Sequence, residues 1–358
     1  MVYDRTGRYK REFAGVDSAA DMDPNVIPTS SFTIDDSHVA IDAISEKGAR
    51  CAVWFRGEEQ FRGIVHELRG SGPRGKVTAG VRGDLRKLWH WHGRPVPTAE
   101  VTAQNVEYAT YSGTSEENFK AALEANLVRL GVPWTVEPSR GLGKPATAQL
   151  RFHPLADKLL PALTEHNLMV VLAYDDAYRV HVDVRESKLI LGTLTHESGI
   201  SDSYTYERVE PTATRVIVGG RKEGVEREFA EVRDPALEAD WGDVIESFQD
   251  ARNSEEGSDL SVEGRETLAA AGITSGVSSV LAETNAFRFG KTYRVGDRVR
   301  VQVGPVDREQ QIGVGITDSV EEGVLVTPRI GEVTESTNAV LAAQIARLAK
   351  TQRDAGRR

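Results

Sequence analysis

The sequence predicts an α+β, β-rich protein with two similar small β-barrel domains, an α+β domain and a C-terminal helix. Three observations carry this. Two distant stretches share one order of strands, turns and glycines, and repeats set the architecture wherever they occur. The block between them switches from an apolar period of two to one near 3.6. Glycine supplies 33 of 358 residues, which suits a turn-rich chain. On these signals the chain divides into residues 1–112, an N-terminal β-barrel domain, and residues 113–213, the α+β domain. Residues 214–290 follow as a strand, an acidic linker and a helical segment. Residues 291–332 are the second barrel copy, packed with 214–290, and residues 333–358 are a helix with a basic tail.

The first copy runs from Gly48 through the alternating strand Ala49 to Phe55, turns at Arg56-Gly57-Glu58-Glu59, and returns through Gly63-Ile64-Val65-His66. It ends with Lys76 to Gly83. The second starts at Gly296, turns at Gly304-Pro305, returns as Ile312 to Thr317, turns again at Glu321-Glu322-Gly323 and ends at Gly331. Both are expected to fold as the same barrel. Between them, Thr114-Ser115-Glu116-Glu117 is a capping box, with Thr114 as N-cap and Glu117 reaching back. Phe119, Leu123, Leu127 and Leu130 share the helical face that follows, and Gly131 with Pro133 stops it. A second helix begins at Pro154 and carries Leu155, Leu159, Leu160 and Leu163. A hairpin of Leu168–Tyr174 and Tyr178–Val184 comes next. A strand at Arg215–Gly220 and a helix at Ser261–Ala271 precede the second copy.

Composition narrows the chemistry. A net charge of −10 disfavours a general nucleic-acid-binding surface. No apolar run approaches the roughly 20 residues that span a bilayer, and the polar N-terminus is not a secretory signal. The lone cysteine, Cys51, forms no internal disulfide and alternates with Ala49, Val53 and Phe55 as a buried strand residue would. His90 and His92 alternate with Trp89 and Trp91, a spacing that on a strand could present two zinc ligands. No third ligand of matching character lies nearby, so aromatic packing at a domain junction is the better reading. Gly141-Leu142-Gly143-Lys144 lacks the phosphate-loop spacing and reads as a mobile loop. No nucleophile-elbow sequence frames a serine, and no cofactor is expected.

Residues 221–259 hold many more carboxylates than bases. Glu223, Glu226, Glu228, Glu231, Asp234, Glu255 and Glu256 are the candidates to line a channel, where they would repel phosphates and let DNA pass without sticking. A solvated outer face is the plainer alternative. In the C-terminal helix, Leu341, Ile345 and Leu348 form a narrow apolar stripe. A helix so short is marginal alone in water and needs a partner, so the stripe is expected to dock on other proteins of the assembly.

Several stretches also resemble one known family. They are Val2-Tyr3-Asp4-Arg5-Thr6-Gly7, Gly83-Asp84-Leu85-Arg86-Lys87-Leu88, Pro211 to Gly220, Tyr293 to Val299, and Pro328-Arg329-Ile330-Gly331. In order and spacing they resemble the tail-tip, or baseplate hub, minor tail proteins of long-tailed phages infecting actinobacteria. The resemblance implies a virion protein made in the host cytoplasm, without catalytic residues. It implies a homotrimer between the distal tail protein and the tip or receptor-binding proteins, where the tape measure protein ends and genomic DNA leaves. Two barrels per chain in a trimer would offer six similar barrels, matching a sixfold tube to threefold tip proteins. Two rivals remain. A carbohydrate-binding tail component would use Trp54, Trp89, Trp91, Trp134 and Trp241 on an open face, and a cell-wall hydrolase would need a cleft with paired carboxylates.

Overall fold

The computed structural model describes residues 1–330 except 72–73, 176–178, 199–200, 223, 253–259, 273–274, 282, 285–286, 305 and 322. Met1–Tyr204 with Ser279–Gly331 forms one compact unit, and Thr205–Ser278 belongs to a second. The first unit opens with Val2–Tyr3 (β1), Tyr9–Arg11 (β2), Asp17–Met22 (β3) and Thr29–Asp35 (β4). Arg50–Phe55 (β5), Glu58–Gly70 (β6) and Lys76–Gly83 (β7) follow as a three-stranded meander. Its first turn has only two residues, Arg56 and Gly57, both at positive φ (51° and 80°). That mirror-image turn matches the natural twist of the strands it joins. Alternation sets the buried face, with Phe32 and Ile34 of β4 beside Ala79 and Val81 of β7.

The middle of this unit folds as its local signals dictate. Ser115–Leu130 (α1) starts at a complete capping box: Glu117 donates its backbone N–H to Thr114 Oγ1, and its carboxylate accepts from the Thr114 backbone. Gly131, at φ 62°, ends the helix. Leu155–Glu165 (α2) buries all four of its expected leucines. Leu168–Tyr174 (β8) and Val180–Glu186 (β9) form the expected hairpin, with Val180, Val182 and Val184 inward. Phe119, Leu123, Leu127, Leu150, Leu159 and Leu168 share one core. Leu130 departs from the expected face and is 40% exposed, because it lies in the last turn beyond the reach of that core. Leu189–Thr195 (β10) leaves this module.

In the second unit, Arg215–Gly219 (β11) lies between Phe229–Arg233 (β12), antiparallel to it, and Glu246–Asp250 (β13), parallel to it. One face of this small sheet buries Val216 and Val218 against Leu260–Ala271 (α4), and Pro235–Trp241 forms a short helix (α3) before β13. The helix approaches closely at Gly264, where a Cβ would lie 2.6 Å from Val232 Cγ2.

The chain then returns to the first unit as a second meander, Arg298–Val303 (β14), Val306–Ser319 (β15) and Gly323–Ile330 (β16). The echo read in the sequence is real at this level. The two meanders have strands of 6, 13 and 8 residues and of 6, 14 and 8 residues. In each, the long middle strand pairs with the first strand over one half and with the third over the other. The expectation of two separate barrels is overturned, however. β15 pairs with β3 from Val314↔Met22 to Asp318↔Ser18, β3 pairs with β4, and β4 pairs with β7. Both meanders are therefore arms of one continuous sheet, and neither closes on itself. Periodicity tells which face of a strand is buried but not which strand takes its free edge.

Candidate functional site

A joint forms in the first unit where the β8–β9 hairpin meets both meanders, around a cavity of about 220 Å³. Three polar side chains make it. Asn25, held at φ 56° in the turn after β3, donates to Leu168 O (2.8 Å) and Thr164 Oγ1 (2.9 Å) and accepts from the Val170 backbone (2.9 Å). It completes the edge of β8 as a strand would. Arg62 lies between the rings of Tyr3 and Tyr174, 5.3 and 4.9 Å from their centres, and pairs with Glu59 at 2.7 Å. Arg185 reaches the second meander, bonding Asp297 (3.1 Å) and Val295 O (2.6 Å). The fully buried Asp84 pairs with Arg50 beneath the cavity and accepts a bond from the Tyr174 hydroxyl. Each cavity carboxylate faces an arginine: Asp23 meets Arg329, Glu58 meets Arg294, Glu59 meets Arg62 and Asp84 meets Arg50. Such geometry fixes orientation between elements. Tyr3, Asp84, Asp297 and Arg329 lie in the stretches that carry the family resemblance, but no local pattern in the sequence points to Asn25, Arg62 or Arg185 as the groups that join them.

A second feature lies at the β15–β16 turn. Val320, Val324 and Leu325 are each more than half exposed there. Beside them runs an open groove of about 570 Å³ with Asp17, Asp318, Glu321 and Lys76 on its walls. Apolar side chains at a hairpin tip, rimmed by charge, are the usual composition of a contact surface.

The sequence-derived candidates fall in different places. His90 ends a short helix and His92 lies in the next strand, so they do not alternate along one strand. The Nδ1 of His90 faces Arg86 (3.3 Å), and among the described residues no group of three or more metal-ligating side chains gathers. Trp91 is buried and meets Trp134 edge-on at 4.9 Å, Trp89 packs on the same core, and Trp54 is 44% exposed. These tryptophans do not share an open face. Cys51 is buried, which pushes its thiol up to about 11. Glu226, Glu228 and Glu231 are exposed, whereas Asp234 accepts the N–H groups of Ala236 and Leu237 as the N-cap of α3. Glu223, Glu255, Glu256, Leu341, Ile345 and Leu348 lie outside the described residues.

The expectation of a mobile 141–144 loop is also corrected. Glu116, fully buried at the start of α1, accepts the backbone N–H groups of Arg140 (3.0 Å) and Leu142 (2.7 Å). Its other oxygen meets Lys120 Nζ at 2.8 Å, and Lys120 also pairs with Asp183. Burial acts to raise the Glu116 carboxyl. The Lys120 bond and the two backbone donors outweigh burial and hold it below the ordinary range. Asp183 is lowered in the same way, burial opposing and the Lys120 bond prevailing. Because both folded-state values lie below the unfolded ones, the stability these groups add is complete above the ordinary carboxylate range. It is lost as pH falls through the lowered values. Glu116→Gln is expected to cost about 2 kcal/mol at neutral pH and to flatten the acid limb of a melting-temperature profile. An unchanged acid limb would show that Glu116 does not carry the effect.

This architecture, one sheet with two meander arms joined through an α+β module, is the fold of phage tail proteins. Over 89% of its length the chain matches the 43 kDa tail protein of prophage MuSo2 from Shewanella oneidensis, covering 95% of that chain at 14% identity and a TM-score of 0.59. It matches a tail protein from Neisseria meningitidis MC58 over 93% of this chain and 96% of that one, at 13% identity and a TM-score of 0.55. The prophage tail protein gp18 from Listeria monocytogenes EGD-e matches over 98% of both chains, at 10% identity and a TM-score of 0.55. The family of Siphovirus ReqiPepy6 Gp37-like proteins matches residues 28–345, and the chain belongs to that family. No curated protein sequence matches it.

Proposed function

We propose that the protein is a structural subunit of the phage tail tip, a hub that assembles as a homotrimeric ring in the virion. The observation that carries this reading is the tail-protein fold along nearly the whole chain, in a member of a siphovirus family. In the proposed ring the distal tail protein contacts one face and the tip or receptor-binding proteins the other. The tape measure protein ends at its centre, and genomic DNA passes through without specific binding. Closed cyclic assembly is the ordinary route to such rings. The adaptor role no longer rests on two barrels per chain. It rests on two similar meander arms, which give a trimer six related contact elements. Glu226 and Glu228, both exposed, are the carboxylates we assign to the lumen, where like charge would keep DNA from sticking. An actinobacterial host has no support in these matches and forms no part of the proposal. The sugar-binding rival is weakened by the burial of Trp91 and the scatter of the other tryptophans.

Negative-stain imaging of the purified protein, with mass by light scattering, tests the ring directly. Threefold rings of trimer mass are expected. Monomers at micromolar concentration would overturn the hub reading.

A further inference from the structure

A closed trimer needs two different patches on each chain, because every copy meets one neighbour with each. The sheet of the first unit carries such a pair, of opposite sign. One is the hairpin tip between β15 and β16, where Val320, Val324 and Leu325 stand exposed. Asp318 lies opposite Val324 in the ladder, Asp17 accepts the Val320 N–H at 3.0 Å, and Glu321 follows in the turn. None of these three carboxylates has an ion-pair partner among the described residues. Lys76, the one cation among the described residues of the groove walls, lies opposite Asp35 in strand register, so that wall adds no net charge. The outer edge of β16 is open as well. Among the described residues only Arg329 and Ile330 pair with a strand there, through Val280 and Ser279.

The other patch is the β1–β2 hairpin, whose outer strand is the last of the sheet. Arg5, Arg8 and Arg11 are exposed there and likewise have no ion-pair partner among the described residues. Asp4 is spent inside the hairpin, accepting the Thr6 and Arg8 N–H groups (2.8 and 3.1 Å) and pairing with Lys10 at 3.5 Å. Glu12 is the only other acid in residues 1–13, so the hairpin keeps a net positive charge. Tyr9, 54% exposed and edge-on to Tyr3 at 6.0 Å, adds an apolar ring. Every pairing from β1 through β5, β6, β7, β4 and β3 to β15 is antiparallel. β1 and β15 therefore run the same way, and both turns lie at one end of the sheet. We infer that the N-terminal hairpin of one copy packs on the β15–β16 tip of the next. Arg5, Arg8 and Arg11 then face Asp17, Asp318 and Glu321, and Tyr9 covers Val324 and Leu325. Opposite charge selects the partner and its register, and the ring on aliphatic side chains forms the apolar centre of the contact. The inference rests on the hub reading, since only head-to-tail contact between copies uses both patches at once.

The test uses the full-length chain, with mass followed by light scattering over a dilution series. Arg5→Glu/Arg8→Glu/Arg11→Glu is expected to weaken assembly at least about a hundredfold, because like charges then meet at the contact. Asp318→Lys/Glu321→Lys is expected to do the same, and high salt is expected to weaken the parent trimer. The two sets of reversals combined in one chain are expected to restore trimers, which excludes misfolding as the cause of the loss. In a separate chain, Arg8→Cys with Glu321→Cys is expected to oxidise to covalent trimers as the largest product, with buried Cys51 left in place. Parent trimers that persist in both reversed sets, or a combined chain that stays dissociated, would overturn this contact and leave the hub reading standing. A parent protein that is itself monomeric would overturn both.

Discussion

Gly63→Val is expected to lower the unfolding free energy by about 3 kcal/mol, read by urea denaturation. Gly63 sits where β6 passes from one partner to the other, opposite Cys51 of β5 and Gly83 of β7 at once. A Cβ there would lie 2.1 Å from the Arg82 carbonyl oxygen, 2.5 Å from its carbon and 2.8 Å from Gly83 Cα. All three are backbone atoms, so no side chain can rotate away, and β6 and β7 would have to separate. Gly315 in β15 is the control, because the nearest atoms to its Cβ are at 3.7 Å, ordinary contact. Gly315→Ala should stay within about 0.5 kcal/mol of the parent. If Gly63→Val proves as mild, the tight crossing is not what fixes the meander.

Asp84→Ala is expected to cost about 3–5 kcal/mol, the loss that follows when one member of a buried ion pair goes and the other is left in a dry site. The Asp84 side chain is fully buried, the Arg50 side chain is 15% exposed, and the Tyr174 hydroxyl bonds the same carboxylate at 3.4 Å. Through Tyr174 the effect should reach the hairpin, so hydrogen exchange in β8 is expected to quicken alongside that in β5. Replacing both members together, Arg50→Met with Asp84→Leu, should recover much of the loss because no lone charge remains. A double variant no better than Asp84→Ala alone would mean that the pair is not the source of the stability.

What the sequence made legible was local. The Thr114 capping box, the leucine spacing of α2 and the β8–β9 hairpin depend on neighbours within a few positions, and each folds as its pattern requires. The barrel expectation failed for the complementary reason. β5 to β7 and β14 to β16 show the same strand lengths and turns, yet β3 and β4 join them edge to edge, and no pattern within either copy encodes that choice. The joint was hidden in the same way. Asn25, Arg62 and Arg185 are ordinary polar residues in a linear reading, and only the folded chain brings them to Leu168, Tyr174 and Asp297. The 141–144 loop misled because its glycines suggest freedom, while the group that pins it, Glu116, sits about one helix earlier in the chain, at the start of α1.

The pairing of β3 with β15 also sets a timetable for synthesis. β3 is complete at Met22, but its partner runs to Ser319. At a translation rate of about 5–20 residues per second, the ribosome takes on the order of 15–60 s to supply it. Throughout that interval β3 offers a bare hydrogen-bonding edge to any other nascent chain. Two aspartates, Asp17 and Asp21, stand on that strand and make it a poor template for a second copy of itself. When the last strand arrives, Arg329 pairs with Asp21 and with Asp23 just beyond the strand. Asp21, a charge that guards the edge during translation, thus becomes part of the latch that closes it.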